Sequence, residues 1–420
     1  MGFPDELSAA VGARADWAQD LLCRLISFRS TTGREGGLQE HLGRVLSELG
    51  FGPRLVPIPA SIAGDPDHTP GPEPADYSGR PNLVAAIPGE GGGRSVILNT
   101  HVDVVPAPDD LFEAKKEGGS IRGRGACDAK GQVVTVILAL AALRSLGLRL
   151  RGAVEAQFVI EEEAGGNGSL ALIAGGRRAD AAVVFEPTGL RVHPSNRGAA
   201  WFRLSVSGRP VHMGRHSEGV SALDEFVGLH AVMKGYEAHL REVSAGYPGY
   251  PDEPSPVVVN FGRVRAGDWP STLPGECLAE GGIAYLPNRT SKAIEEEVRA
   301  WIESKATPWA REHSRFELAG LRNEAFETPA DNPAVQAFRR AAESVLGPRE
   351  LTGWVASCDA RLFFHRAKMP TIVFGPGDLG LAHSLDERID FGQIVKGAEV
   401  LGRFLADWCG VAGREENNGR

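Results

Sequence analysis

The sequence predicts an α/β fold built on a mostly parallel sheet, interrupted by an inserted α+β domain. Over the first half of the chain, short β-branched and aliphatic runs alternate with helical periodicity, the pattern of βαβ units. From about Arg197 the texture changes to alternating apolar and polar strands, and after Phe326-Glu327-Thr328-Pro329 the first style resumes. At 420 residues the chain also exceeds what one hydrophobic core usually supports. The expected division is a discontinuous first domain, residues 1–196 and 326–420, around an insert of residues 197–325.

In chain order, apolar residues recur at helical spacing from Ala15 to Leu49 and stop at Gly50-Phe51-Gly52, which predicts a surface helix. Ser61 to Arg80, rich in Pro, Gly and Asp, predicts a long loop. Strands follow at Asn82 to Ile87, Arg94 to Asn99, Ala153 to Ile160 and Ala181 to Phe185, with helices at Gly131 to Leu146 and near Ser169 to Ala174. In the insert, Ala200 to Val206, Val257 to Val264 and Cys277 to Leu286 read as strands of an antiparallel sheet, and Ser221 to Leu240 and Ser291 to Ser304 as helices. A helix at Asn332 to Val345, a strand at Thr371 to Phe374 and a helix at Gly392 to Trp408 close the chain.

Composition narrows the class without naming a function. The apolar fraction of 42% and charged fraction of 24% are those of a soluble globular protein. A net charge of −9 with no dense Lys/Arg stripe argues against nucleic acid and anionic membranes as partners. The longest apolar run, Val133 to Leu143, is too short to span a bilayer and reads as a buried helix. Five scattered cysteines without CxxC spacing suit reduced thiols, and the N-terminus carries no export or lipidation signal, so a cytoplasmic protein is expected.

Five local signals carry chemistry. In Asn99-Thr100-His101-Val102-Asp103, an extended segment puts His101 and Asp103 on one face, so the carboxylate can orient the imidazole; a solvated His beside a turn Asp is the plainer alternative. Gly123-Arg124-Gly125-Ala126-Cys127-Asp128-Ala129-Lys130-Gly131 is a glycine-rich loop before an apolar helix, where Asp128 either caps that helix or bridges ions, and Cys127 reads as a small apolar packer. A buried-looking strand ends in Glu161-Glu162-Glu163 with Gly165-Gly166 next and no basic residue close in sequence, and like charges so placed need a cation to relieve them. Glu186 ends another aliphatic strand, and Phe374-Gly375-Pro376-Gly377 leads to His383.

All five place a hard donor where an aliphatic run gives way to Gly or Pro, as a parallel sheet does at its carboxyl edge. Two imidazoles and three carboxylates, one shared, suffice for two divalent ions. Such a pair acidifies a water and polarises a carbonyl, the requirements of metal-assisted hydrolysis.

These segments, in this order and over about Asp16 to Trp408, resemble the zinc peptidase and deacylase family of acetylornithine deacetylase, succinyl-diaminopimelate desuccinylase, aminoacylase and the glutamate-releasing carboxypeptidases. The resemblance implies a zinc-exopeptidase-like sheet with helices on both faces and an inserted lid and dimerisation domain. It implies one metal held by His101 and Glu186, another by Glu163 and His383, Asp128 bridging, Glu162 as general base and Asp103 supporting His101. Zinc is the expected metal, with cobalt or manganese as alternatives. Gly208-Arg209-Pro210-Val211-His212-Met213-Gly214 resembles the segment whose histidine reaches across a homodimer to stabilise an oxyanion, which gives that role to His212.

The chain departs from its relatives in the insert. Ser271 stands where many carry Asn in a GGxxxNxxP stretch, and Gly282-Ile283-Ala284 replaces a DxR, so substrate recognition is what these departures affect. Arg361, in a segment that resembles the family's pocket lining, either clamps a substrate carboxylate or pairs with Asp359 or a neighbour. The expected activity is hydrolysis of a small N-acyl amino acid or related amide. A dipeptidase or aminopeptidase is the alternative within this chemistry, and a silent metal-binding protein is the alternative outside it, against which the presence of Glu162 speaks.

Overall fold

A computed structural model describes Gly2–Pro70, Asp76–Tyr250 and Ser255–Arg414. Part of the loop expected between Ser61 and Arg80, residues 71–75, lies outside the described residues. The chain forms two compact units, one of Met1–Ser195, Thr328–Trp354 and Cys358–Arg420, the other of Asn196–Glu327 and Val355–Ser357.

The first unit is organised by a six-stranded sheet in the order Pro53–Val56, Asn82–Ile87, Val154–Val159, Val96–His101, Ala182–Phe185 and Thr371–Phe374. The last four run parallel, and Asn82–Ile87 is antiparallel to both of its neighbours. Every residue of Val96–His101, Ala182–Phe185 and Thr371–Phe374 is buried, which accounts for their largely apolar character. The helix Lys130–Ser145 is buried around nearly its whole circumference, because it packs between that sheet and the helices Ala15–Ile26 and Phe391–Cys409.

The single helix expected from Ala15 to Leu49 is instead two, Ala15–Ile26 and Gly36–Glu48. Gly33, at φ +95°, breaks the helical path, and the intervening segment is pinned to the sheet edge. The buried Ser30 hydroxyl donates to the Val102 carbonyl at 2.7 Å, and Thr31 bridges Val104. The expected long loop also contains a short 3-10 helix, Ala60–Gly64.

The second unit is a four-stranded antiparallel sheet in the order Val258–Ala266, Glu276–Tyr285, Gly198–Ser207 and Ser314–Asn323. Phe202, Leu204 and Val206 alternate inward against the helices Ala222–Val243 and Ser291–Lys305. Ser221 and Thr290 cap those helices, accepting from the Asp224 and Ala293 amides at 3.2 Å each. The strand Ser314–Asn323 was not among the sequence expectations; its pattern blends into the helix Pro308–His313 before it. Among the described residues, no helix is long and apolar enough to cross a membrane.

Candidate metal centre

The four parallel strands of the first unit end at one edge, and the donors predicted from sequence stand there. His101 is the last residue of its strand and is 1% exposed. Its Nε2 lies 3.0 Å from Asp128 Oδ1. Its Nδ1 lies 3.0 Å from the Asp103 carbonyl oxygen and 3.6 Å from the Asp103 carboxylate. The expected orientation of His101 by Asp103 therefore runs chiefly through the main chain. The Asp103 carboxylate itself accepts the amides of Glu162 and Glu163, at 3.1 Å each.

Asp128 does not cap the following helix, which has no side-chain cap at its N-terminus; its carboxylate is turned toward the two imidazoles. The glycine-rich loop is wound around the buried Glu387 carboxylate. One Glu387 oxygen accepts the amides of Gly125, Cys127 and Asp128 at 2.9, 3.1 and 3.2 Å, and the other pairs with Arg124. Cys127 is buried, donates its thiol to the Asp378 carbonyl, and has its pKa pushed up by burial, which agrees with a packing residue.

The three acids divide their work. Glu161 turns away and bonds Arg80 Nη2, Tyr77 and Asn167, at 2.7, 3.1 and 3.0 Å. The triplet thus does have a basic partner, Arg80, brought in from 81 residues away. Glu163 meets His383, Oε1 to Nε2, at 3.0 Å, and the same nitrogen lies 3.4 Å from Asp128 Oδ2. Ligand atoms of His101, Asp128 and Glu163 lie within 4.8 Å of one another, as do those of His101, Glu162 and Glu186. Gly375 lets the neighbouring strand end pass Glu186, since a Cβ there would sit 2.5 Å from the Glu186 carbonyl.

The electrostatics are those of a crowded acid site. Burial raises Glu162, reinforced by the charge of Glu186, and burial likewise raises Glu186 and Glu163, each with a contribution from Asp128. Burial opposes ionisation of Asp128 too, but hydrogen bonds from His101 and His383 outweigh it and hold this carboxyl below the usual range. Hydrogen bonds with Asp128 and Glu163 push His383 up to about 10. His101 is raised despite burial, by Asp103 and Asp128.

Glu186 Oε1 is buried with no hydrogen-bond partner, an acceptor aimed at nothing the chain provides. Imidazole and carboxylate donors with an orphaned buried oxygen fit divalent cations. The residues that would hold them are His101, Asp128, Glu163, Glu186 and His383.

The remaining expected residues are placed as follows. Arg361 is buried and donates to the Gly165 carbonyl at 2.8 Å, while its Nε and Asp359 Oδ2 are both buried without a hydrogen-bond partner, so of the two readings of Arg361 the pairing with Asp359 is not made. In the second unit, His212 is exposed, accepts the Gly214 amide at 3.1 Å on Nδ1, and bridges Thr272. The Met213 amide donates to the Ser271 carbonyl at 2.8 Å, so Ser271 stands one residue along from the Thr272 that His212 bridges. Sequence reading missed Glu387, Arg80 and Glu35. Glu387 had one visible cue, its place four residues after His383; the other two had none.

The chain is 28% identical over 361 residues to the N-formyl-4-amino-5-aminomethyl-2-methylpyrimidine deformylase of Halalkalibacterium halodurans, covering 79% of this chain and 84% of that one. It is 25% identical over 380 residues to the acetylornithine deacetylase of Proteus mirabilis, covering 88% and 89%. Its fold matches the YXEP protein of Bacillus subtilis, a dinuclear metal binding peptidase, with TM-score 0.67 and 16% identity over 94% of this chain and 98% of that one. Residues 97–407 match the model of peptidase family M20/M25/M40, so the chain belongs to that family of hydrolases acting on amide bonds, including those of non-peptide N-acyl substrates.

Proposed function

We propose that this chain hydrolyses the amide bond of a small N-acyl amino acid or N-acylated amine at a centre of two divalent ions. The observation that carries the reading is the convergence of His101, Asp128 and Glu163 beside His101, Glu162 and Glu186, with one Glu186 oxygen left unpartnered. His101 and Glu186 would hold one ion and Glu163 and His383 the other, with Asp128 shared. When bound, the ions acidify a water and polarise the substrate carbonyl.

The chain's own residues do the rest. Glu162, as the carboxylate, would take a proton from water as the water oxygen bonds the carbonyl carbon. It returns that proton to the nitrogen as the C–N bond breaks, so a carboxylic acid and an amine leave. Asp103 fixes Glu162 through the main chain. His212 would stabilise the oxyanion across a homodimer, and Ser271 and Arg361 would contact substrate. Zinc suits the mixed imidazole and carboxylate set, with cobalt or manganese able to replace it. Five unpaired cysteines support a cytoplasmic setting.

The deciding assay is a panel of N-formyl, N-acetyl and N-succinyl amino acids and amines against dipeptides, with metal-loaded protein. Turnover of the N-acyl compounds is expected. Turnover of dipeptides alone would replace the deacylase reading with a peptidase one.

A further inference from the structure

Among the described residues Glu161 is one of four non-glycine residues at positive φ, and it immediately precedes the two acids of the centre. Its φ of +60° is a conformation that side-chain-bearing residues adopt only at a cost, and it persists only where the surroundings impose it. Those surroundings are specific. The Glu161 carboxylate takes hydrogen bonds from Arg80, Tyr77 and Asn167, and its carbonyl accepts the Gly166 amide at 2.7 Å. Arg80 is in turn fixed by a two-point contact with Glu35, Nε to Oε2 and Nη2 to Oε1 at 2.8 Å each, and by the Asp76 carbonyl.

Glu35 and Glu161 are buried and Arg80 nearly so, with side-chain exposures of 0%, 7% and 11%. None of the three offers a ligand atom to either donor group of the centre. What the arrangement does is mechanical. Arg80 holds Glu161 from one side, Asp103 holds the amides of Glu162 and Glu163 from the other, and the strained turn between them aims the next two carboxylates in different directions.

We propose that Arg80 is a positioning residue: by its forked contact with Glu35 and Glu161 it holds the strained turn that presents Glu162 to the reacting water and Glu163 to the metal. Its kinetic consequence rests on the hydrolase reading above, whereas its consequence for metal binding does not. A bidentate guanidinium fixes direction as well as charge, which an ammonium cannot. Partners of this kind, one step removed from the ligands, are worth about 10–100-fold in metal affinity or activity.

The test compares Arg80→Lys, which keeps a positive charge between the two acids but loses the fork, with wild type. Cobalt(II) is titrated into the metal-free full chain by visible absorption, and kcat and KM are measured on the best substrate of the panel. The expected result is a first cobalt bound as in wild type, a second bound at least tenfold more weakly, and kcat lowered at least tenfold with KM little changed. A folded Arg80→Lys protein with wild-type cobalt binding and wild-type kcat would overturn the proposal. Should that variant not fold, Glu161→Gln enters the same assays with the same expectation, and wild-type values there overturn it equally. If wild type turns over none of the amides, the hydrolase reading fails and the cobalt titration alone decides the role of Arg80.

Discussion

The Glu387 carboxylate accepts the main-chain amide of Asp128 at 3.2 Å. This contact, with two further amides and Arg124 on the same carboxyl, makes Glu387 the residue around which the loop carrying Asp128 is wound. Replacing Glu387 with Ala leaves Arg124 buried and unpaired, a change of the kind that costs about 3–5 kcal/mol. The expected outcome is a large fall in unfolding free energy by urea titration and weakened metal binding. A variant as stable as wild type would refute this role.

Metal binding must displace protons from this site. Glu163 and Glu186 hold their protons above the usual carboxyl range and His383 holds its own up to about 10, so affinity rises with pH and binding releases protons. At a hundredfold excess over Kd the bound metal stabilises the fold by about 2.7 kcal/mol per site. Calorimetry in buffers of different ionisation enthalpy measures the release. An affinity unchanged between about pH 5.5 and 8 is the opposing result.

His193 provides a pH signature away from the candidate metal centre. It is 4% exposed, its Nδ1 faces the Thr352 carbonyl at 2.9 Å, and burial pushes its pKa down to about 4. The unfolded chain takes up this proton near pH 6.5 and the folded one does not, so stability is lost as pH falls from about 6.5 toward 4. The loss approaches about 3 kcal/mol. His193→Asn, which can keep the hydrogen bond, is expected to unfold with a shallower slope over that window than wild type, and identical slopes would refute the assignment.

His212 is proposed to act on the centre of a second copy. If so, mixing Glu162→Gln protein with His212→Ala protein restores turnover that neither has alone, because one site of each mixed dimer is intact. Each single variant is expected to lose about 10²-fold or more in kcat. Two dimeric variants that exchange subunits without regaining activity would count against the role.

Much of the centre was legible because its donors sit at strand ends, where a local pattern changes from aliphatic to Gly or Pro: His101, Glu163, Glu186 and the approach to His383 all announce themselves this way. The supports were not legible. Arg80 meets Glu161 across 81 residues, and Arg124 meets Glu387 across 263, contacts that leave no periodicity in the sequence. The same holds for the break between Ala15–Ile26 and Gly36–Glu48, where apolar spacing continues through a segment that tertiary contacts of Ser30 and Thr31 pull out of the helix. Asp103 is a support, as its place beside His101 suggests, but what it supports most directly is the Glu162 and Glu163 main chain.

The central claim is a centre of two ions with Glu162 moving the proton. Metal content per chain and turnover, measured on the same preparations of wild type and Glu162→Gln, test it most directly. The account predicts two ions in both proteins and a loss of about 10²–10⁴-fold in kcat for the variant. Glu162→Gln protein that holds both ions and turns over at the wild-type rate would contradict it.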